Sequence, residues 1–362
     1  MTPASDIRTT RVGVLGRIHL NRPKVINALS HAMALELHSV LRDWEDDPSI
    51  AAVLITGEGE RGLCAGGDIR AIYEDARAGG TGTVDFWRDE YRLNAAIARY
   101  PKPIVAIMHG LVMGGGIGIS AHAAQRIVTD GSVLGMPEVG IGLVPDVGGS
   151  WLLAHAPGEL GTHVALTGAQ FGPGDAIELG LADWYVPAGR LEALTGALAD
   201  VPTSESDVAS AVGALIQEVS EPAPWSELAA RRHWIDECYR AETIEDILVR
   251  LENSGEPDAG ASAKEIVRKS PSSIKVTLSA LRRARGLDSL EAGLDQELRV
   301  STRCFEAPDL AEGIRAQVID KDRNPRWQPG TLEQVTDERV AGYFASLGER
   351  ELGLAPTTEV RA

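Results

Sequence analysis

The amino-acid sequence predicts an α/β fold followed by a helix-rich C-terminal region. In the first half, short apolar runs alternate with glycine-rich turns and helical patterns, as in a parallel sheet whose ligands lie near the strand ends. In the second half, segments with helical spacing of apolar residues follow one another. Because the composition changes near residue 200, we place a core at residues 11–200 and a helical region at residues 201–350.

The predicted elements of the first half follow in order along the chain. Val12–Leu20 carries strand-forming residues, and we expect a tight turn at Gly16-Arg17. Ser30 is a favourable N-cap for the amphipathic helix that follows it. The apolar runs Ala51–Thr56 and Pro103–Met108 have the composition of buried parallel strands.

The second half is predicted to consist of helices. Helical periodicity marks the segments Val208–Val219, Trp225–Arg240, Ser273–Arg285 and Ser289–Cys304. Asn253–Gly260 concentrates turn-forming residues, so we expect a linker there.

The composition excludes several classes of protein. The chain has 35 basic and 52 acidic residues, and this acidic balance opposes nucleic acid or an anionic membrane as the main partner. No run of about 18 apolar residues predicts a membrane span, and Met1–Thr10 lacks the apolar core of a signal peptide. Three widely spaced cysteines predict reduced thiols, and the histidines lack metal-binding spacing. We therefore expect a cytoplasmic protein without a metal site.

One segment carries the residues of a chemical site. Met113–Gly116 is a glycine-rich turn, which we expect to open a helix that continues to about Gln125. Two carboxylates, Glu138 and Asp146, follow in one apolar loop. Backbone donors placed where negative charge develops, together with a carboxylate that handles a proton or attacks, are what chemistry on a carbonyl needs. The apolar surroundings should raise the pKa of both carboxylates.

Purely structural roles are open for the same residues. The glycines can serve tight turns and close packing only. Asp146 can be the N-cap of a helix that follows Val147-Gly148-Gly149, and Glu138 can cap a turn.

Further motifs resemble those of the crotonase (enoyl-CoA hydratase/isomerase) superfamily, and within it the 3-hydroxyisobutyryl-CoA hydrolases. The resemblance extends over about residues 11–350. It is carried by the sequences NRPK at 21–24, NAL at 27–29, CAGGDI at 64–69, FWRDEY at 86–91, MPEVGIGLVPDVGG at 136–149, and IDKD and PRW at 319–322 and 325–327. It implies a crotonase-like spiral of ββα units with a helical C-terminal region.

The resemblance also implies roles for individual residues. Gly67 and Gly115 match the two oxyanion-hole donors, and Glu138 and Asp146 match the catalytic carboxylates, which also contact the substrate together with Gly115. Glu90 matches a substrate contact, although a solvated face or an ion pair is an alternative in its charged helical stretch. The remaining candidate contacts to CoA, by resemblance only, are Ala65, Asp68 and Ile69.

Residue 118 favours the hydrolase branch. The related hydratases carry a second glutamate shortly after the triple glycine, where this chain has Gly118, and the chain has Asp146 where they commonly have glycine. The resemblance therefore implies hydrolysis of a short branched 3-hydroxyacyl-CoA, with 3-hydroxyisobutyryl-CoA in valine catabolism as the first candidate.

In that reaction, Glu138 would act as base or nucleophile, and Asp146 would orient water or the substrate hydroxyl. A hydratase or isomerase and a non-catalytic acyl-CoA-binding protein are the alternatives. No cofactor is implied beyond the CoA of the substrate, and self-association as a trimer or hexamer is expected.

Overall fold

The computed structural model describes residues 5–202 and 208–355. The strands are β1 (Ile7–Val12), β2 (Leu15–Leu20), β3 (Ala52–Gly57), β4 (Ile104–Met108), β5 (Leu111–Met113), β6 (Gln125–Val128), β7 (Val133–Gly135), β8 (Gln170–Phe171) and β9 (Trp184–Tyr185). The α-helices are α1 (His31–Glu45), α2 (Ile69–Ala78), α3 (Gly82–Ala98), α4 (Gly115–Ser120), α5 (Gly149–Ala154), α6 (Leu160–Thr167), α7 (Pro173–Glu178), α8 (Leu191–Ala199), α9 (Val208–Val219), α10 (Glu227–Tyr239), α11 (Ile244–Asn253), α12 (Pro257–Ile266), α13 (Pro271–Ala284), α14 (Leu290–Glu306), α15 (Pro308–Ile314) and α16 (Asp337–Tyr343).

These elements pack as two compact units, each built from three stretches of the chain. The first unit comprises the residues up to Asp68, residues 96–135 and residues 170–229, and the second comprises residues 69–95, residues 136–169 and the chain from residue 230 onward. The packing thus alternates between units along the chain, whereas the boundary predicted near residue 200 follows the order of the sequence.

The first unit contains the sheets of the described part of the chain. One sheet has the strand order β1-β2-β3-β4-β6-β9, in which β1 and β2 are antiparallel and the other neighbours are parallel. A smaller sheet has the order β5-β7-β8. Apolar residues of β2, β3, β4 and β6 form one buried cluster with α8 and α9. The predicted parallel strands at Ala51–Thr56 and Pro103–Met108 are therefore confirmed.

The tight turn expected at Gly16-Arg17 is wrong. The chain reverses at Gly13, which has a φ of +57°, and Gly16 lies within β2. A Cβ at Gly16 would lie 2.6 Å from the ring of Trp44, so glycine is needed there for close packing rather than for a turn.

The second unit is helical in its described residues. α13 packs against α5, α6 and α14, and its buried side chains include Ile274, Val276 and Leu281. α15 packs against α2 and against a short 3-10 helix at Glu138–Ile141. This packing holds the loop between β7 and α5, which carries both predicted catalytic carboxylates.

The helices predicted in the second half are found at nearly the predicted positions, but two expectations were wrong. The helix that opens at the triple glycine ends at Ser120, because the chain turns there and forms β6 from Gln125. The linker expected at Asn253–Gly260 contains the end of α11 and the start of α12, with Pro257 in the first turn of α12, where proline is compatible with a helix. Within residues 5–202 and 208–355, none of the helices has the length and apolar character needed to cross a bilayer.

Candidate active site

Gly67, the first predicted oxyanion donor, lies in the segment between β3 and α2. Leu29 pairs with this segment in a short parallel bridge. The Leu29 amide donates to the Gly66 carbonyl at 2.8 Å, and the Asp68 amide donates to the Leu29 carbonyl at 2.9 Å. The bridge uses the residues on both sides of Gly67 but not the Gly67 amide. An N–H group whose neighbours are fixed in this way is suited to bind a ligand oxygen.

Gly115, the second predicted donor, is the first residue of α4 and follows Gly114, which has a φ of +43°. At this position the amide has no partner within the helix, because no helical carbonyl precedes it by one turn. Gly66 approaches the same turn closely: a Cβ at Gly66 would lie 3.3 Å from the Met113 carbonyl oxygen and 3.8 Å from the Gly115 nitrogen. The segments that carry Gly67 and Gly115 are therefore in contact within the first unit.

The three residues that resemblance assigns to CoA have different environments. The Ala65 amide donates to the Ile26 carbonyl at 2.9 Å. Asp68 forms an ion pair with Arg22 at 3.1 Å, and Ile69 is the half-buried first residue of α2. The backbone of Ala65 and the side chain of Asp68 thus help to fix the loop itself.

Asn27 has a structural role in this loop that sequence reasoning missed. Its side chain is fully buried, and its φ of +52° lies in the left-handed region that asparagine tolerates better than most residues. Its Nδ2 donates to the carbonyls of Glu58 and Gly62 at 3.1 Å each, and its Oδ1 accepts from the Arg22 amide at 2.9 Å. Asn27 therefore ties the NRPK segment to the loop that ends at Gly67.

Glu138 is buried at the start of the 3-10 helix in the second unit. Close approach of α15 holds this turn, since a Cβ at Gly142 would lie 2.4 Å from the Asp309 backbone and one at Gly313 would lie 2.4 Å from that of Ile141. The Glu138 side chain is 6% exposed, and its Oε2 makes no hydrogen bond to any described residue. The carboxylate is thus available to a ligand.

Asp146 lies eight residues later and is held by an aromatic hydroxyl. The Tyr91 hydroxyl donates to Asp146 Oδ2 at 2.7 Å, and the Ser301 hydroxyl lies 2.9 Å from the same Tyr91 oxygen. Because the Tyr91 proton is directed at Asp146, Ser301 donates to Tyr91. The Asp146 carboxylate is therefore fixed by a chain of two hydroxyl groups from α3 and α14.

The alternative in which Asp146 caps α5 with its side chain is wrong. The N-cap of α5 is Gly148, and Asp146 contributes only its backbone carbonyl, which accepts from the Gly149 amide. The cap is instead Glu297 of α14, whose Oε2 accepts from the Gly148 amide at 2.6 Å and whose Oε1 accepts from the Ser150 amide at 2.9 Å and its hydroxyl at 2.6 Å. Nothing local in the sequence signals this contact, because about 150 residues separate the partners.

The alternative in which Glu90 lies on a solvated face of α3 is wrong. Its side chain is 2% exposed, and its Oε1 makes no hydrogen bond to any described residue. The surface ion pair of this stretch is formed by its neighbours Asp89 and Arg92. Glu90 therefore belongs to the buried face of α3, together with Tyr91.

Burial raises the pKa of each of the three carboxyl groups of this site. Burial raises the pKa of Glu138 well above its usual range, and the charges of Asp146 and Glu297 raise it further. Burial also raises the pKa of Glu90, again with the charge of Asp146. For Asp146, burial raises the pKa to about 6 against the opposing hydrogen bond from Tyr91. A carboxyl group whose pKa is raised in a desolvated site is suited to proton transfer.

A family model described as enoyl-CoA hydratase/isomerase matches residues 15–344. The chain belongs to this family. It is 39% identical to the mitochondrial 3-hydroxyisobutyryl-CoA hydrolase of Rattus norvegicus, over 97% of this chain and 91% of the rat protein.

Two solved structures share the architecture. A carnitinyl-CoA dehydratase from Mycobacterium thermoresistibile has a TM-score of 0.90 and 48% identity, covering 97% of this chain and 99% of that one. An enoyl-CoA hydratase from Rhodobacter sphaeroides 2.4.1 has a TM-score of 0.88 and 42% identity, covering 96% and 99%. The predicted crotonase-like α/β fold with a helical C-terminal region is therefore confirmed.

One of these relatives is named a hydrolase, and the two solved structures are named a dehydratase and a hydratase. The residues of the site therefore have to indicate whether hydrolysis or hydration fits this chain better. Position 118, where a hydratase is expected to carry a glutamate, is a glycine buried in α4. The described carboxylate pair of this chain is Glu138 and Asp146, which lie in the loop between β7 and α5.

Proposed function

We propose that this protein hydrolyses the thioester of a short branched 3-hydroxyacyl-CoA. The first candidate is 3-hydroxyisobutyryl-CoA, cleaved to 3-hydroxyisobutyrate and CoA in valine catabolism. The observation that carries the proposal is the buried pair Glu138 and Asp146, of which Asp146 is fixed by Tyr91. The name of the rat relative, which matches 97% of this chain, supports the same reaction.

In the proposed reaction, the thioester carbonyl becomes a tetrahedral oxyanion. The amides of Gly67 and Gly115 donate to that oxygen, and each such donor typically contributes about 10²–10³ in rate. On the general-base route, water oriented by Asp146 attacks the carbonyl carbon while Glu138 takes its proton. Collapse of the intermediate breaks the carbon–sulfur bond, and the CoA thiolate receives that proton.

A second route uses Glu138 as the nucleophile. Its carboxylate attacks the carbonyl carbon and expels the CoA thiolate, which leaves an anhydride between Glu138 and the acyl group. Water then cleaves the anhydride and restores the carboxylate. A single turnover in isotopically labelled water that places label in Glu138 establishes the anhydride route, because the general-base route places label only in the released acid.

The alternative reaction is hydration or dehydration, as in the names of the two structural relatives. Such an enzyme holds water against a conjugated double bond with two carboxylates, and the position after the glycine turn offers Gly118 instead of one of them. Assays on a panel of acyl-CoA esters distinguish hydrolysis from hydration. Release of free thiol from 3-hydroxyacyl-CoA supports hydrolysis, whereas loss of the absorbance of an enoyl-CoA without thiol release supports hydration.

The same panel tests a third reading, that of a non-catalytic acyl-CoA-binding protein. Binding of CoA esters with neither thiol release nor a change in enoyl absorbance would establish it and end the hydrolase proposal.

We further propose that the enzyme uses no cofactor besides the CoA of its substrate, that it is a cytoplasmic homotrimer or hexamer, and that acyl-CoA is its partner. The three cysteines are buried and form no disulfide with one another, which supports a reducing compartment.

A further inference from the structure

The buried face of α3 carries polar atoms that no described residue satisfies. Asn94 is 0% exposed, and neither its Nδ2 nor its Oδ1 makes a hydrogen bond to a described residue. One helical turn earlier, Oε1 of the buried Glu90 is unpaired in the same way. Residues four apart on a helix lie on the same face, with Cβ atoms about 5–6 Å apart. The three unpaired atoms therefore form one polar strip.

Unpaired buried groups of this kind are uncommon and costly. The large majority of buried polar side-chain atoms in proteins have a partner, and a buried group without one costs about 1–3 kcal/mol. Tyr91, the neighbour of Glu90 on α3, is by contrast satisfied by Asp146 and Ser301. Asn94 lacks partners on both of its polar atoms and Glu90 on one, and this cluster on one helix points to a ligand group that completes them.

The strip belongs to the surroundings of the catalytic carboxylates. The charge of Asp146 acts on Glu90, and Asp146 is bonded to Tyr91, the residue next to Glu90. Asn94 extends the strip by one turn along α3. A substrate whose carbonyl carbon is attacked with the help of Asp146 therefore has its acyl chain near this face of the helix.

We propose that Glu90 and Asn94 together recognise the 3-hydroxyl group of the acyl chain, and that Asn94 is a specificity-determining residue. This proposal rests on the proposed function. A hydroxyl both donates and accepts one hydrogen bond, a carboxamide offers both an N–H and a carbonyl oxygen, and the carboxyl group of Glu90 complements either orientation. With the hydroxyl bound there, Asp146 is left to orient water.

A site built this way rejects substrates that lack the hydroxyl. An acyl chain without it leaves the same buried atoms unpaired in the complex, and sites that pair a substrate hydroxyl discriminate strongly against the analogue without it. The chain would therefore hydrolyse 3-hydroxyisobutyryl-CoA in preference to isobutyryl-CoA, although the two differ by one oxygen atom.

The test compares these two esters in the Asn94→Leu variant, which keeps the approximate volume and removes both polar atoms. We expect kcat/KM for 3-hydroxyisobutyryl-CoA to fall about 10- to 100-fold and kcat/KM for isobutyryl-CoA to stay within about twofold. The thermal midpoint of the ligand-free variant should rise, because the unpaired carboxamide is gone. Thr277→Val of α13 is the matched control: its hydroxyl is also buried and unpaired, and its loss should leave the ratio of the two esters unchanged.

An equal fall for both esters, or an unchanged ratio, would overturn the role of Asn94. If Asn94→Leu does not fold, Asn94→Ser is measured in the same way. Non-hydrolysable thioether analogues with and without the hydroxyl give a second readout by calorimetry. A wild-type protein that binds the hydroxylated analogue more tightly, with the difference lost in the variant, supports hydroxyl recognition even if no thioester is cleaved. Binding of this kind without any cleavage of the thioester would contradict the proposed hydrolysis but not the recognition of the hydroxyl group.

Discussion

The hydroxyl of Tyr91 donates a 2.7 Å hydrogen bond to Oδ2 of Asp146, and this bond joins α3 to the loop between β7 and α5. It opposes the effect of burial on the pKa of Asp146, because a donor favours the ionised carboxylate. Tyr91 therefore orients one of the two proposed catalytic carboxylates and keeps the pKa of Asp146 from rising further.

Replacement of Tyr91 by phenylalanine should shift the pH dependence of turnover. Without the donor, the pKa of Asp146 rises above its present value of about 6, so the ionised form appears at higher pH. We expect the acidic limb of the kcat profile to move up by about one to two pH units, since a hydrogen bond to a charged group contributes about 1.5–3 kcal/mol. Ser301→Ala, which leaves the Tyr91 hydroxyl in place, should move the limb less. An unshifted profile in Tyr91→Phe would show that Asp146 does not limit the rate.

Loss of the Glu297 cap should destabilise the protein more than loss of the Ser150 hydroxyl. Glu297→Gln places an amide group against two backbone N–H donors, so at least one of them loses its acceptor, and a buried unpaired donor costs about 1–3 kcal/mol. Ser150→Ala removes one donor and leaves both backbone bonds intact. Chemical denaturation of the two variants should therefore give a lower free energy of unfolding for Glu297→Gln. Equal values would mean that the backbone bonds contribute little.

The sequence indicated candidate site residues because each lies in a local motif. The glycine turn before α4 and the carboxylates Glu138 and Asp146 each lie in a short motif with a chemical reason for its residue types. The α1 helix was equally predictable, since the Ser30 side chain accepts from the Met33 amide as an N-cap should. The parallel strands were predictable from uniform apolar runs.

What the sequence could not supply were contacts between distant segments. Gly16 reads as a turn residue until Trp44 is seen to occupy the space of its side chain. Asp146 reads as an N-cap until Glu297 is seen in that role. The polar strip of α3 was hidden for a related reason, because Glu90 lies among Arg88, Asp89 and Arg92, whose charges suggest a solvated helix.

Removal of the Gly115 amide should lower turnover without preventing folding. Proline is compatible with the first position of a helix, where the N–H is not used by the helix itself. Gly115→Pro deletes the proposed donor, and we expect kcat to fall about 10²–10³-fold. Gly115→Ala is the control, because it keeps the N–H. Full activity of a folded Gly115→Pro protein would remove Gly115 from the mechanism.

Residue 118 can be tested by an attempted gain of function. Gly118→Glu restores the glutamate expected of a hydratase at a buried position of α4. We expect no useful hydration of crotonyl-CoA, because Asp146 and its partners remain and orient water for a different attack. Hydration of crotonyl-CoA at a rate close to that of native thioester hydrolysis would contradict the distinction drawn between the two reactions.

Amide variants of Glu138 and Asp146 should lower turnover to different extents. Glu138→Gln should lower kcat about 10²–10⁴-fold, the usual contribution of a general base, and leave binding of free CoA little changed. Asp146→Asn keeps an acceptor for Tyr91, and it should lower kcat less if Asp146 only orients water. Near-native kcat in both variants would remove the carboxylates from the reaction.

The stability of Asp146→Asn should depend on pH with a defined sign. The pKa of Asp146 is raised from 3.8 to about 6 in the folded protein, so folding favours the protonated form. Its stabilising contribution is complete below about pH 4 and is lost as the pH rises through 6, by on the order of 3 kcal/mol for a shift of about two units. The variant has no such loss. Chemical denaturation should therefore find Asp146→Asn more stable than the wild type at pH 8, with the gain absent at pH 4; equal stability of the two proteins at both pH values would contradict the raised pKa of Asp146.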